Sequence, residues 1–190
     1  MSGGGPSRLP RLPEAELTPE QHELYRRITD GPRQRHATFF PVAADDGVLS
    51  GPYRAMLLSP VVGTALERVG VTVRYECGLP DHVRELAILV VAWHCESAVE
   101  WQAHEALARS CGVPDVTVDS LRSGSPALVG EDIAVTYAFV RELLVDNRVS
   151  DETFGRAVAL LSLSGVFELI AAAGYYQFIA AVNNAFDLSE

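Results

Sequence analysis

Apolar residues in this chain recur at intervals of three and four, and no stretch alternates with the period of two that a half-buried strand needs. The pattern opens over residues 19–30, where Leu24 and Ile28 lie four apart behind Thr18 as N-cap and Pro19 as first helical residue, and Gly31-Pro32 ends it. Residues 33–60 are broken by Gly47, Gly51-Pro52 and Pro60, and predict a long loop with one short helical piece near residues 53–58. Residues 60–73 predict a helix with Val62, Leu66 and Val69 on one face. After Gly78-Leu79-Pro80, Asp81 is placed to cap residues 81–95. Their apolar run alone would suit a buried strand, but their length, the cap and Glu85 favour a buried helix.

Helices follow over residues 98–110, closed by Gly112; over a short stretch from Pro114-Asp115 toward Gly124; and over residues 131–145, with Ile133, Tyr137, Val140 and Leu144 at helical spacing. Ser150-Asp151 caps a last segment over residues 152–186, which Gly165 and Gly174 divide into two helices if either breaks it. The expected fold class is all-α. Residues 86–93 and 166–173 are apolar nearly all round, which predicts burial on every side and more apolar surface than one protomer needs.

The chain of 190 residues is long enough for one domain with a full core. Residues 1–17, with Gly3-Gly4-Gly5 and several prolines, predict a flexible arm before a single domain over 18–190, and they lack the apolar core of a signal peptide. The net charge is −10 and all 15 basic residues are arginine, with no basic run. That composition argues against nucleic-acid and anionic-membrane partners and excludes a lysine Schiff base or a P-loop lysine. The most apolar stretch, residues 86–93, has eight residues and is too short to span a bilayer. Cys77, Cys95 and Cys111 are odd in number and form no CxxC, as idle thiols in a reducing cytoplasm would.

Candidate chemistry concentrates in Arg84-Glu85-Leu86-Ala87-Ile88-Leu89 and in Ser97-Ala98-Val99-Glu100-Trp101-Gln102-Ala103-His104. Ser97, Glu100 and His104 share one helical face, and Glu100 stands four residues before His104, from where its carboxylate can orient the imidazole. Folding back the preceding helix would bring Glu85 to the same face, and two carboxylates with a histidine in an apolar setting are proton-transfer equipment. Such a helical Glu–His pair also occurs as a solvated surface pair, so the spacing by itself leaves both readings open. A metal site assembled from Glu85, Glu100, His104 and His94 is disfavoured because His94 falls off the shared face. Ser97 is seven residues, about 10 Å of helix axis, from His104, too far for direct deprotonation.

These residues, with Leu79-Pro80, Glu-Trp-x-x-His, Ala108-Arg109 through Gly112-Val113, and Gly174-Tyr175-Tyr176 through Asn183-Asn184-Ala185-Phe186, resemble the carboxymuconolactone decarboxylase and alkylhydroperoxidase D superfamily over residues 52–186. The resemblance implies an all-helical bundle of mainly antiparallel helices and a homo-oligomer (dimer, trimer or hexamer). In the peroxidase branch the motif is a Glu, a Cys-x-x-Cys twelve residues on, and a His four beyond the second Cys. Here the Glu falls on Glu85 and the His on His104, while the two cysteine positions fall on Ser97 and Glu100. A dithiol cycle cannot run on serine and glutamate. The decarboxylase branch, with Glu and an aromatic residue ahead of the His, looks closer. It implies a cofactor-free, metal-free lyase or isomerase acting on a small carboxylated, lactone or cyclic substrate, with Glu85, Glu100 and His104 catalytic. Ser97 and Trp101 would border the substrate, and Arg84 or Arg74 would hold its carboxylate. Two alternatives stand beside it: an alkylhydroperoxidase-like antioxidant oxidoreductase using Cys95, and a non-catalytic oligomeric protein that binds small molecules.

Overall fold

The computed structural model describes residues 8–33 and 40–188. Among these, eight α-helices carry the fold and no strand forms: α1 (Pro19–Thr29), α2 (Gly51–Met56), α3 (Pro60–Val71), α4 (Asp81–His94), α5 (Ala98–Ser110), α6 (Asp115–Leu121), α7 (Glu131–Val145) and α8 (Asp151–Ala185). The fold is all-α, as the periodicity predicts. The described residues fall into two compact units, one built from residues up to Glu76 together with those from Ala181 on, the other from Cys77–Ala180, where the sequence suggests a single domain over 18–190.

In the first unit α1 starts with a reciprocal cap. The Thr18 hydroxyl accepts from the Gln21 N–H, and the Gln21 side chain accepts from the Thr18 N–H, which satisfies two of the helix's orphan donors. Leu24 and Ile28 are buried as their spacing predicts, and α1 and α2 both pack on α3. Gly63 permits that packing, because a Cβ there would stand 2.3 Å from the Met56 carbonyl oxygen and 2.7 Å from Leu24. Residues 72–76 continue α3 as a π-helical turn. Of the predicted N-terminal arm, residues 1–7 lie outside the described residues. Residues 8–17 are packed: Leu9 is buried, Arg8 donates to the carbonyls of Ala185 and Phe186, and Glu14–Glu16 form a 3-10 turn. Residues 34–39 of the predicted long loop also lie outside the described residues.

The second unit is organised around α4, which packs on both α5 and α7. Every residue from Val83 to Ala92 is buried, so the apolar run is a core helix and not a strand. Asp81 is the first helical residue and Pro80 occupies the cap position. Trp93, expected to be buried, is 43% exposed one residue before α4 ends.

The turn from α4 to α5 sets the geometry of everything below. Glu96 takes φ 52, its N–H donates to the Trp93 carbonyl, and the Ser97 N–H reaches back to the Ala92 carbonyl at 2.9 Å. This closes the helix with a left-handed residue, the role glycine ordinarily fills. Gly112 fills the same role after α5, with φ 97 and with Val113 N–H donating to Ala108.

α8 departs from the sequence reading in two ways. Its break falls at Ser162 (φ 66), not at Gly165 or Gly174. The Ser162 hydroxyl accepts from the Gly165 N–H at 3.4 Å, so the serine offers the backbone a local alternative to the helix ladder. The second difference is exposure: Val166, Leu169, Ala172 and Ala173 are buried, but Phe167 is 72% exposed and Ile170 40%. By length and composition α8 is also apolar enough to cross a membrane, with a third of its most apolar window buried. The run at residues 86–93 is therefore not the chain's most apolar helix, because small and polar residues interrupt α8 without lowering its average.

A left-handed glutamate costs about 1 kcal/mol relative to glycine. Glu96→Gly is therefore expected to raise stability by up to about 1 kcal/mol, read as a higher urea midpoint at unchanged slope; a lower midpoint would show that Glu96 makes a compensating contact.

Candidate active site

Glu85 stands one turn into α4 and is 1% exposed; His104 stands two turns into α5 and is 7% exposed. The left-handed turn folds α5 back along α4, and the nineteen residues between the two become one contact: His104 Nδ1 lies 2.7 Å from Glu85 Oε2. A carboxylate can only accept, so the ring donates from Nδ1 and its neutral form presents Nε2 as the basic nitrogen. Glu100 Oε2 lies 3.7 Å from that nitrogen, on the same helix face, and Glu100 is 5% exposed. The three side chains foreseen as one unit are thus brought together, with Glu85 in direct contact. Tyr176 of α8 sets its ring edge against the imidazole, centroids 5.1 Å apart, and Tyr175 packs against Tyr176 in turn. Nothing local in the sequence connects residue 176 to residue 104, so this contact is visible only in the packed structure.

Burial makes this cluster chemically consequential. Two carboxylates and one imidazole away from water cannot all carry independent full charges at low cost.

The other candidate residues lie apart from this contact. Ser97 is the N-cap residue of α5, 2% exposed, and its hydroxyl does not cap the helix. Trp101 is buried and its indole N–H donates to Glu105 at 2.7 Å. Arg84 is buried, with one guanidinium nitrogen on the Leu79 carbonyl at 3.2 Å, another on Asp81, and Nε 3.8 Å from Glu85. Its fork serves the start of α4 and leaves little to clamp a substrate. Arg74 belongs to the first unit, buried on the π-helical turn with its guanidinium over the Tyr75 ring. Cys95 is half-buried at the end of α4, and burial pushes its thiol above the ordinary value, which lowers its thiolate content. Burial likewise raises Cys111, and the nearby Glu85 charge raises it further. Among the described residues no group of three or more His, Cys, Asp or Glu is disposed to hold a metal ion.

A cleft of about 620 Å³ opens beside the cluster's helix, bordered by Trp93, His94, Glu96, Ser97, Trp101 and Arg122. Arg122 had no signal in the sequence. It follows α6, and only the packing of α6 on α5 sets its guanidinium 4.2 Å from the centre of the Trp101 ring.

No family model matches the sequence, and no curated protein matches it. Solved structures do match the fold. One is the alkylhydroperoxidase AhpD core of an uncharacterized peroxidase-related protein from Ralstonia eutropha JMP134, with a TM-score of 0.72 at 13% identity, covering 96% of this chain and 91% of that one. Another is a protein of unknown function from Agrobacterium tumefaciens, assigned by its description to antioxidant defence and AhpD, with a TM-score of 0.62 at 15% identity over 70% of this chain and 92% of that one. The chain has the AhpD-core fold, in keeping with the superfamily that its motif resembles.

The hydrogen bond to Glu85 has a spectroscopic consequence. Long-range ¹H–¹⁵N correlation is expected to show neutral His104 protonated at Nδ1, and Glu85→Ala to release that preference toward the mixture of a free imidazole. An Nε2-protonated ring in the unaltered protein would contradict the arrangement.

Proposed function

We propose that the protein is a cofactor-free acid–base enzyme, a lyase or isomerase of the carboxymuconolactone decarboxylase type, acting on a small cyclic or lactone substrate that carries a carboxylate. The buried Glu85–His104–Glu100 cluster is the observation that supports this reading. Glu85 holds the Nδ1 proton and orients the ring. His104 Nε2 takes a proton from a carbon next to a carbonyl, or delivers one to the carbanion left by departing CO₂. Glu85 then stabilises the imidazolium, and Glu100 serves as the second proton store beside Nε2. Proton transfer of this kind by a positioned group contributes roughly 10²–10⁴-fold to rate.

The peroxidase reading draws support from the descriptions of the structural neighbours. Against it stand Ser97 and Glu100 at the two thiol positions, and a Cys95 thiol whose burial disfavours the reactive thiolate. The two readings part on simple assays. Across small cyclic carboxylates and lactones, His104→Ala and Glu85→Gln are each expected to lose about 10²–10⁴ in kcat/KM, and the double variant to lose little more, because the pair acts as a unit. Cys95→Ala should keep full activity. Dithiol-dependent peroxide consumption that disappears in Cys95→Ala would replace this reading by the antioxidant one.

We also propose that the protein works as a homo-oligomer. On α8, Leu163, Phe167, Ile170 and Phe178 are 40–72% exposed and fall within an arc of about 80°. An exposed apolar stripe of this kind marks an interaction surface. Sedimentation velocity is expected to show a species heavier than the 20.6 kDa chain, and Phe167→Glu to shift it toward that mass. A monomer at micromolar concentration would overturn the assignment.

A further inference from the structure

The cleft beside α5 has a composition that selects for a particular ligand. One wall carries Trp101, whose indole cannot swing away: its N–H is held by Glu105 at 2.7 Å, and Glu105 is itself held by Arg109 at 3.1 Å. Arg109 also binds Asp115 at 2.8 Å and Asp119 at 2.6 Å, so the three carboxylates of this corner are gathered on one guanidinium. The Arg109 and Trp101 hydrogen bonds outweigh the opposing effect of burial and keep the Glu105 carboxyl below its ordinary range. Trp93 adds a second indole at the cleft, 43% exposed, with no hydrogen bond from its N–H among the described residues.

Arg122 is the cation of this site. It lies 4.2 Å from the Trp101 ring centre, the arrangement in which a guanidinium is held by a π face. Its nearest carboxylate, Glu105, is 4.0 Å from Nη2, beyond hydrogen-bonding reach. Among the described residues its N–H groups therefore donate no hydrogen bond, and the guanidinium is positioned by stacking while its donors stay available. Among the residues lining the cleft the one carboxylate is Glu96.

From this we infer that the Trp93–Trp101–Arg122 cleft is a binding site for a planar monocarboxylate, whose ring lies against the exposed Trp93 indole and whose carboxylate takes the fork of Arg122 where it rests on the buried Trp101 ring. Arg122 is then the residue that selects for an anion at this cleft. The inference rests on the acid–base reading only in calling the ligand a substrate; the binding site itself stands or falls separately. Glu96 is the built-in opponent of an anion and limits affinity.

The test uses the full-length protein labelled with ¹⁵N-tryptophan, whose two indole N–H signals report on Trp93 and Trp101 directly. Titration with benzoate is expected to shift both signals saturably, and titration with benzamide, equal in shape but uncharged, to shift them far more weakly. Arg122→Gln should weaken benzoate binding about tenfold or more, the usual loss for a charge-assisted bond. Arg122→Lys, which keeps charge without the fork, should fall between. Glu96→Gln should tighten binding, by up to about fivefold for an exposed charge. Circular dichroism checks that each variant folds. His104→Ala and Glu85→Gln should bind benzoate as the unaltered protein does. If they keep full turnover, the acid–base reading fails while this site survives. Equal binding of benzoate and benzamide, or an Arg122→Gln variant that binds benzoate normally, overturns the site and leaves the acid–base reading untouched. Indole signals that move with protein concentration and not with benzoate also overturn it, because a second copy then covers the cleft.

Discussion

A carboxylate at the centre of an apolar helix has to be answered, and in this protein the answer comes from nineteen residues away. Glu85 is surrounded by buried α4 residues on its own helix, and leaving it ionised and unpartnered would cost several kcal/mol. The His104 N–H meets it at 2.7 Å. That single contact requires α5 to run back along α4 in one register, since a shift of one residue would turn His104 about 100° away. The pair is therefore a constraint on the helical hairpin and the feature on which the acid–base proposal rests.

Around this contact, the structure divides the labour among charged residues by where their partners lie. Arg84 and Arg109 spend their guanidinium groups on carbonyls and carboxylates that fasten helix ends to one another. Arg122 rests on a ring and keeps its donors. The difference lies in geometry and not in chemical type. A guanidinium hydrogen-bonded to carboxylates spends its donors on them, whereas Arg122, stacked on an indole with Glu105 4.0 Å away, is oriented without a short hydrogen bond to a carboxylate. The same corner rigidifies Trp101 through Glu105, so the cleft is a preformed surface, and preformed surfaces bind small ligands at lower entropic cost.

α8 shows a related economy. Its buried face supplies Tyr176 to the imidazole and packs Leu169, Ala172 and Ala173 into the core. Its opposite face leaves Phe167 and Leu163 in contact with solvent. An all-round apolar composition thus serves two surfaces: an inner one packed into the core beside the imidazole and an outer one left exposed.

Local order decided much of this in advance. The 3.6-residue period located α1, α5 and α7 to within a residue, because burial of one face is a property of the segment itself. Thr18 marked a helix start through its hydroxyl, and Gly112 a helix end through a backbone free to take positive φ. The Glu100–His104 pairing followed from their four-residue spacing on one helix, and the absence of a dithiol from Ser97 and Glu100. Tertiary packing decided the rest. That Glu85 touches His104 directly, that Arg84 is engaged at the start of α4, that Tyr176 reaches the imidazole and that Arg122 covers Trp101 all depend on how helices lie against one another. So does the exposure of Trp93 and Phe167: hydropathy records that a residue is apolar, but only the packed structure determines whether anything stands in front of it. A left-handed Glu96 belongs to the same class, since neighbouring helices impose its backbone conformation against the residue's own preference.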